Sequence, residues 1–192
     1  MMSNWILKNY KKNKSPGPDN IFNEFIIHGG ESLCLTLAIF FNMCLSNHIF
    51  PDELKLSNII PLFKKGLRNQ SNNYRPVKLL SGIGKLFERI IANRLQPFLE
   101  SSFLNSGQAG FRPKFSTVEQ IIFTLEEINK TLKNGNDVIG CFLDISKAFD
   151  RIWQAGMKYK LYKHVGIRGH MFLLIDNYFN DRFSRVRIDE EY

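Results

Sequence analysis

Apolar residues recur at intervals of three and four in two stretches in the middle of the chain, a periodicity that predicts amphipathic helices. The most apolar run, residues 33–45, falls within a helix predicted over residues 31–47, and we expect that helix to be buried. The run is too short to span a bilayer and contains Thr36 and Asn42. It is therefore interpreted as a core element rather than a membrane segment.

A short helix is predicted to open near Ile21, directly after the rigid turn Ser15-Pro16-Gly17-Pro18-Asp19. Asp19 stands where a side chain could cap the first turn of that helix. Gly29-Gly30 is expected to end the helix and to separate it from the one that follows.

Two longer amphipathic helices are predicted in the middle of the chain. The first has an apolar face that we assign to the core, made of Ile83, Leu86, Phe87, Ile90, Ile91, Leu95 and Phe98. The second begins at Ser116-Thr117-Val118-Glu119, which has the spacing of a capping box, and ends at Asn134-Gly135. Its apolar face consists of Val118, Ile121, Ile122, Leu125, Ile128 and Leu132.

Two extended segments joined by a polar loop predict a hairpin. Residues 57–66 form the first strand, which Pro61 confines to an edge or to irregular pairing and which ends in two lysines and a glycine. Residues 74–79 form the return strand, in which Pro76 keeps Arg75 out of the helical region. Such a basic hairpin is suited to holding phosphate, and an ordinary charged hairpin explains the same pattern equally well.

The stretch of residues 138–143 is short, apolar and rich in β-branched residues, which predicts a strand buried on both faces. The strand is expected to deliver Asp144 to its end. A buried carboxylate costs several kcal/mol unless it is paired or bound to a metal. We therefore expect Asp144 either at the exposed tip of the strand or on a cation.

The last part of the chain is predicted to contain two helices, over residues 155–164 and 170–180, with Gly166 closing the first. Residues 182–189 alternate charged and apolar side chains, which predicts a half-exposed strand. Its natural partner would be a following hairpin strand.

Composition and charge narrow the classes of protein. The 192 residues are 44% hydrophobic, which is typical of a globular chain, and a net charge of +8 favours a polyanionic partner, nucleic acid before membrane. The three cysteines have no CxxC spacing and the four histidines no metal-ligand spacing. The start lacks an apolar signal sequence. These features predict an intracellular protein, nuclear or cytoplasmic, that is neither secreted nor membrane-spanning.

Five short motifs, in order from about residue 12 to residue 189, resemble those of reverse transcriptases from non-LTR retrotransposons, in particular jockey-like elements. They are Lys14-Ser15-Pro16-Gly17-Pro18-Asp19, Ile59-Ile60-Pro61-Leu62-Phe63-Lys64-Lys65-Gly66, Asn73-Tyr74-Arg75-Pro76-Val77, Gly110-Phe111-Arg112 with Ser116-Thr117, and Phe142-Leu143-Asp144-Ile145-Ser146-Lys147-Ala148-Phe149-Asp150. One such motif is weak evidence, whereas five in the family's order are strong.

The resemblance implies an α+β chain with a right-hand polymerase fold, helix-rich and with a small antiparallel sheet. Residues 1–192 would form a partial reverse transcriptase domain, with fingers and connecting helices over residues 1–135 and the start of the palm over residues 136–192. Its implied partners are an RNA template, a DNA primer and deoxynucleoside triphosphates. No membrane and no small-molecule cofactor are implied.

The resemblance also implies roles for single residues. Asp144 would be catalytic and would bind Mg²⁺ together with the backbone carbonyl of Ile145, because this metal prefers carboxylate and phosphate oxygens. Phe149 would be the steric gate beneath the incoming sugar, and Asp150 would be structural. The other implied contacts are to the nucleotide for Arg75, Lys64, Arg112 and Ala148, and to nucleic acid for Lys65 and Lys78.

The family's hairpin with an Asp-Asp pair does not occur in these 192 residues, because the sequence contains no Asp-Asp dipeptide. One carboxylate does not anchor two metal ions, so we expect the isolated chain to be inactive. The strand that holds Asp144 lacks that hairpin as a partner and would expose an unpaired, apolar edge, so we also expect low solubility. Two other hypotheses remain open at this point. One is a non-catalytic nucleic-acid-binding domain derived from a reverse transcriptase. The other, ranked last because no GxxxxGK[ST] loop is present, is an unrelated Mg²⁺ phosphotransferase.

Overall fold

The computed structural model describes residues 10–105, 107–146, 148 and 151–188. Contacts divide the chain into two units, which are described separately. The first consists of the residues up to Pro97 together with those from Gln154 onward, and the second of Phe98–Trp153. Seven α-helices and three strands are found in the described residues.

The elements follow one another in mixed α+β order. They are α1 (Asn23–His28), α2 (Gly30–Asn47), α3 (Asp52–Lys55), β1 (Ser57–Phe63), a 3₁₀ turn (Ser71–Asn73), β2 (Tyr74–Leu80), α4 (Gly82–Ser102), α5 (Thr117–Lys133), α6 (Gln154–Lys160) running into a π-helical turn (Leu161–Val165), α7 (Gly169–Phe179) and β3 (Ser184–Val186). None of the described helices has the length and apolar character that a membrane crossing requires.

An aromatic stack forms the centre of the first unit. The ring of Phe87, on α4, is fully buried and stacks on Phe41 of α2 at 4.8 Å and on Phe50 at 5.2 Å between centroids. Phe50 in turn meets the edge of Tyr178 on α7 at 4.9 Å. Leu174 of α7 is also fully buried in the same cluster. The apolar face predicted for α4 is thus confirmed as core, apart from Phe98, which is 41% exposed.

Helix α2 confirms the predicted bounds but not the predicted burial. Leu37, Phe41 and Cys44 face the core, whereas Leu35 and Met43 are largely exposed. A helix that packs against a core on one side buries only one stripe of its surface. The run over residues 33–45 has apolar side chains on more than one side of the helix, so several of those outside the buried stripe meet solvent.

The predicted cap of α1 is wrong in its geometry. Helix α1 begins at Asn23, and its N-cap is Phe22, whose side chain has no polar atom. The Asp19 carboxylate instead accepts a hydrogen bond from the Ile21 N–H at 3.2 Å, which tightens the turn before the helix. The break between α1 and α2 is confirmed, since Gly30 has φ of +70°, a conformation that favours glycine.

The sheet is mixed, so the expectation of an antiparallel sheet is wrong. Its order is β2-β1-β3, with β1 and β2 antiparallel and β1 and β3 parallel. β3 covers only Ser57–Ile59 of β1 and is shorter than the strand predicted over residues 182–189. The fully buried Asn58 side chain accepts a hydrogen bond from Arg185 Nε at 2.8 Å. An alternating pattern indicates that a strand has two faces but does not identify its partner.

Pro61 lies in the central strand of the sheet, whereas the sequence predicts an edge strand or irregular pairing. It stands opposite Pro76 in the register of β1 and β2. Lys64 N–H donates to the Asn73 carbonyl at 2.8 Å, and hydrogen-bonded pairs alternate along an antiparallel ladder. The two prolines therefore occupy a non-hydrogen-bonded pair, where neither strand needs an N–H from them. β3 ends before it reaches Pro61.

The helix boundaries in the second unit follow the sequence closely. Ser116 Oγ accepts from the Glu119 N–H, and the Glu119 carboxylate accepts from the Ser116 N–H, so the predicted capping box is present. Gly135, with φ of +74°, ends α5. The apolar face of α5 is mostly exposed, including Ile121 and Leu125.

In the last part of the chain, the helices predicted at residues 155–164 and 170–180 are confirmed by α6 with its π-helical turn and by α7.

We predict that Phe87→Ala lowers the free energy of unfolding by about 3–5 kcal/mol, because it removes a buried ring and leaves a cavity inside the aromatic stack. Urea denaturation followed by circular dichroism measures the change. Phe98→Ala is a matched control on the same helix and should cost about 1 kcal/mol or less. Equal losses in the two variants would contradict the central place of the stack.

Candidate nucleic-acid and metal site

The hairpin of β1 and β2 carries four of the predicted contact residues. Lys64, Lys65, Arg75 and Lys78 are all exposed. Side chains alternate between the two faces of a strand, so Arg75 and Lys78, three positions apart on β2, point to opposite faces. The hairpin therefore brings Lys64, Lys65 and Arg75 to the same end of the sheet. Lys78 lies farther from that end, and its side chain points to the face opposite that of Arg75.

The loop at the tip of the hairpin is held by hydrogen bonds to its own backbone. Asn73 Nδ2 donates to the Leu67 carbonyl at 2.8 Å, and Tyr74 Oη donates to the Arg68 carbonyl at 2.8 Å. Gly66 has φ of +91°, and a Cβ there would lie 2.6 Å from Asn73 Nδ2. The loop is thus stabilised without using the ammonium groups of its two lysines.

Aromatic contacts add to the stability of this tip. The rings of Phe63 and Tyr74, which face each other across the strands, meet edge to face at 5.5 Å, and Arg68 lies 5.2 Å above the Phe63 ring. The sequence interpretation assigned no role to Asn73 or Tyr74. Their position just before Arg75, after a polar loop, was the available signal.

Arg112, in the second unit, is largely engaged within its own loop. Its Nε and Nη2 donate to the Glu100 carboxylate, with the closest contact at 2.6 Å, and Nη1 donates to the carbonyls of Asn105 and Gln108. The guanidinium also lies 4.2 Å above the Phe115 ring. Both members of the ion pair are partly buried, with side chains 10% and 28% exposed. This arrangement makes Arg112 the group that ties the loop to the end of α4.

Glu100 is a site residue that the sequence interpretation missed. It lies at the end of an amphipathic helix, twelve positions before its partner. Only its acidic character near a loop arginine pointed to the pair, and many unpaired surface residues share that character.

The strand predicted over residues 138–143 is not formed. Residues 136–145 have no regular secondary structure, and Ile139, Phe142 and Leu143 are 94%, 97% and 92% exposed. No described strand pairs with this segment. A single strand without a ladder leaves its backbone groups unpaired and its side chains unpacked, which explains the difference.

Asp144 is exposed, in agreement with the expectation of an exposed position. It follows an irregular segment, however, and not the tip of a strand. Ile145 and Ala148 are exposed as well. Lys147, Phe149 and Asp150 lie outside the described residues, so the proposed steric gate has no structural description.

The metal site expected at Asp144 is not assembled by the described residues. Among them, no group of three or more His, Cys, Asp or Glu side chains lies close enough together to hold a metal ion. Two Mg²⁺ ions need several oxygen ligands each. The part of the chain that the structure describes therefore does not fit a two-metal centre by itself.

Comparison with known proteins identifies the family to which the chain belongs. A family model described as "Reverse transcriptase (RNA-dependent DNA polymerase)" matches residues 63–191, two thirds of the chain. The chain belongs to the reverse transcriptase family. The match confirms the resemblance inferred from the five motifs.

Individual relatives refine the class to polymerases of mobile elements. The chain is 34% identical over 188 residues to "Probable RNA-directed DNA polymerase from transposon BS" of Drosophila melanogaster, covering 97% of this chain and 20% of that protein. It is 33% identical over 190 residues to "RNA-directed DNA polymerase from mobile element jockey" of Drosophila funebris, covering 96% of this chain and 20% of that protein. The chain therefore spans about a fifth of the length of these curated relatives.

We predict a coupling energy of about 1–2 kcal/mol between Arg112 and Glu100 in a double-mutant cycle with alanine, because the pair is partly buried and doubly hydrogen-bonded. The measurement is the free energy of unfolding in urea. The control cycle combines Arg112→Ala with Glu126→Ala, an exposed glutamate on α5, and should be additive within about 0.5 kcal/mol. Equal coupling in both cycles would contradict the assigned contact.

Proposed function

We propose that this chain is the front part of an RNA-directed DNA polymerase of a mobile element, with RNA template, DNA primer and deoxynucleoside triphosphates as partners inside the cell, in the nucleus or the cytoplasm. The observation that carries the proposal is the family match over residues 63–191, which includes the motif around Asp144. In this proposal residues 1–135 supply the fingers and connecting helices, and residues 136–192 begin the palm.

The exposed cations of the hairpin support a role in binding phosphate. Arg75 and Lys64 are proposed to contact the triphosphate, and Lys65 and Lys78 the nucleic-acid backbone. The opposite orientation of Arg75 and Lys78 on β2 suits two different ligands, one on each face of the sheet. The self-contained hydrogen bonding of the loop leaves the ammonium groups available for such contacts.

Asp144 is proposed to supply one carboxylate to a Mg²⁺ site in the complete enzyme, with the carbonyl of Ile145 as a second ligand. Mg²⁺ at such a site would polarise phosphate oxygens. Phe149 and Ala148 are proposed to border the nucleotide sugar. Arg112, which is held by Glu100, is proposed to support the nucleotide or template by fixing the shape of its loop.

The isolated chain is expected to lack polymerase activity, because Asp144 is a single carboxylate and the described residues contain no cluster of potential metal ligands. The test is extension of a DNA primer on an RNA template by the 192-residue chain in Mg²⁺. We expect no extension above a buffer control. Template-directed, Mg²⁺-dependent extension that Asp144→Asn abolishes would contradict the proposal of inactivity and would assign catalysis to this chain.

A non-catalytic nucleic-acid-binding function is the second candidate, favoured by the net charge of +8 and by the exposed hairpin cations. It predicts metal-independent RNA binding that weakens steeply with salt. We expect Lys64→Gln/Lys65→Gln to lower the affinity for a labelled RNA about tenfold at moderate salt, as measured by fluorescence anisotropy. The matched control is Lys130→Gln/Lys133→Gln at the end of α5, which removes the same charge and should bind like the unmodified chain.

Equal binding by the hairpin variant and its control would remove the hairpin from the binding surface. Binding that requires Mg²⁺ would favour the polymerase hypothesis over the purely binding one.

A further inference from the structure

A groove of about 600 Å³ lies in the first unit, between the segment of residues 10–15 and the outer side of α4. None of the roles proposed above involves it. Its lining consists of Tyr10, Lys11, Lys14, Ser15, Asn23, Leu79, Lys85, Glu88, Arg89 and Ala92.

The segment that forms one wall of the groove is fixed in place. Tyr10 is buried, and its hydroxyl donates to the Gly82 carbonyl at the start of α4. Asn23 Nδ2 donates to the Lys11 carbonyl at 2.8 Å, and the Asn13 N–H donates to the Glu24 carboxylate at 2.5 Å. Burial raises the pKa of Tyr10 to about 12, so its hydroxyl stays protonated as a donor near neutral pH. These contacts hold the backbone of this wall in place before a ligand enters.

Four cations line the groove and only one carboxylate does. Lys11 and Lys14 belong to the fixed segment, and Lys85 and Arg89 stand one turn apart on α4. The carboxylate is that of Glu88, which accepts a hydrogen bond from Tyr178 Oη at 2.8 Å and lies 3.8 Å from Arg182 Nη2. Part of the negative charge of Glu88 is therefore balanced by Arg182, which follows α7, and the cations in the lining outnumber the carboxylate.

Lys85 illustrates the electrostatic state of the groove. Burial lowers the pKa of its ammonium group, while the nearby charges of Glu88 and Asp19 act in the opposite direction. The balance is a net lowering, so the two carboxylates do not fully compensate the desolvation of the ammonium. A bound anion would supply the missing compensation.

We infer that this groove binds the phosphate backbone of a nucleic-acid strand. The inference rests on the proposed function and extends it to a surface apart from the basic hairpin. The cations form two rows, one on each wall of an open groove, with the apolar side chains of Leu79 and Ala92 also in the lining. Two rows along a groove suit an extended polyanion, whereas a single triphosphate is usually held by donors that converge on one point.

The experiment measures binding of a fluorescein-labelled single-stranded RNA of about 16 nucleotides by fluorescence anisotropy over a range of salt concentrations. Lys11→Gln/Lys14→Gln is expected to weaken binding about tenfold at 0.1 M salt. It should also reduce the slope of log K against log salt by about 1.4, since each lost contact to a single strand contributes about 0.7. Lys11 and Lys14 are exposed, so the substitutions leave the core intact.

Three further variants sharpen the comparison. Lys130→Gln/Lys133→Gln removes the same charge from the end of α5 and should leave both affinity and slope unchanged. Lys85→Gln should weaken binding, whereas Lys85→Arg keeps the charge and should bind within about twofold of the unmodified chain. Circular dichroism of each variant verifies that the fold is retained.

The outcomes separate this inference from the proposed function. If the groove variant binds like its control while Lys64→Gln/Lys65→Gln loses affinity, the groove inference is wrong and the proposed function stands. If the unmodified chain binds no RNA, the groove inference and the nucleic-acid-binding function are both wrong. If excess deoxynucleoside triphosphate displaces RNA from the unmodified chain but not from the groove variant, the groove holds a nucleotide and the assignment to a strand is overturned.

Discussion

The stacking of Phe87 between Phe41 and Phe50 is the interaction on which the first unit depends. It joins α2 to α4 and, through the Phe50–Tyr178 contact, joins both to α7. Helix α7 leads into β3, and β3 pairs with β1, so the position of the basic hairpin is linked to the same aromatic centre. The outer side of α4, opposite this stack, forms a wall of the positively charged groove. The aromatic stack thus helps to position both the basic hairpin and the positively charged groove.

The sequence predicted local structure well because the signals for it are local. The capping box at Ser116 and Glu119, the break at Gly30 and the hairpin around Gly66 all depend on residues a few positions apart. The parallel pairing of β3 with β1 joins residues more than a hundred positions apart, and only the folded chain identifies that partner. For the same reason the burial of α2 was overestimated, since composition does not state how many sides of a helix find a neighbour.

The candidate site also contains residues that the sequence identified and contacts that it did not. The basic residues of the hairpin are exposed and close in sequence, so the motif was sufficient to find Lys64, Lys65 and Arg75. The contacts of Arg112 with Glu100 were invisible in the sequence, because an arginine in a loop gives no indication of whether its donors are occupied. The segment before Asp144 has the composition of a strand, and a strand also requires a ladder partner that no described residue supplies.

The opposed prolines of the hairpin have a consequence for how the molecule meets others of its kind. β2 is an edge strand of the described sheet, and an edge strand ordinarily offers its outward N–H groups to a strand from another molecule. Pro76 occupies one of the outward-facing positions of β2 and has no N–H to offer. Because it faces Pro61 in a non-hydrogen-bonded pair, this gap costs the hairpin none of its internal ladder bonds. The hairpin therefore presents its cations to solvent on an edge that resists intermolecular strand addition.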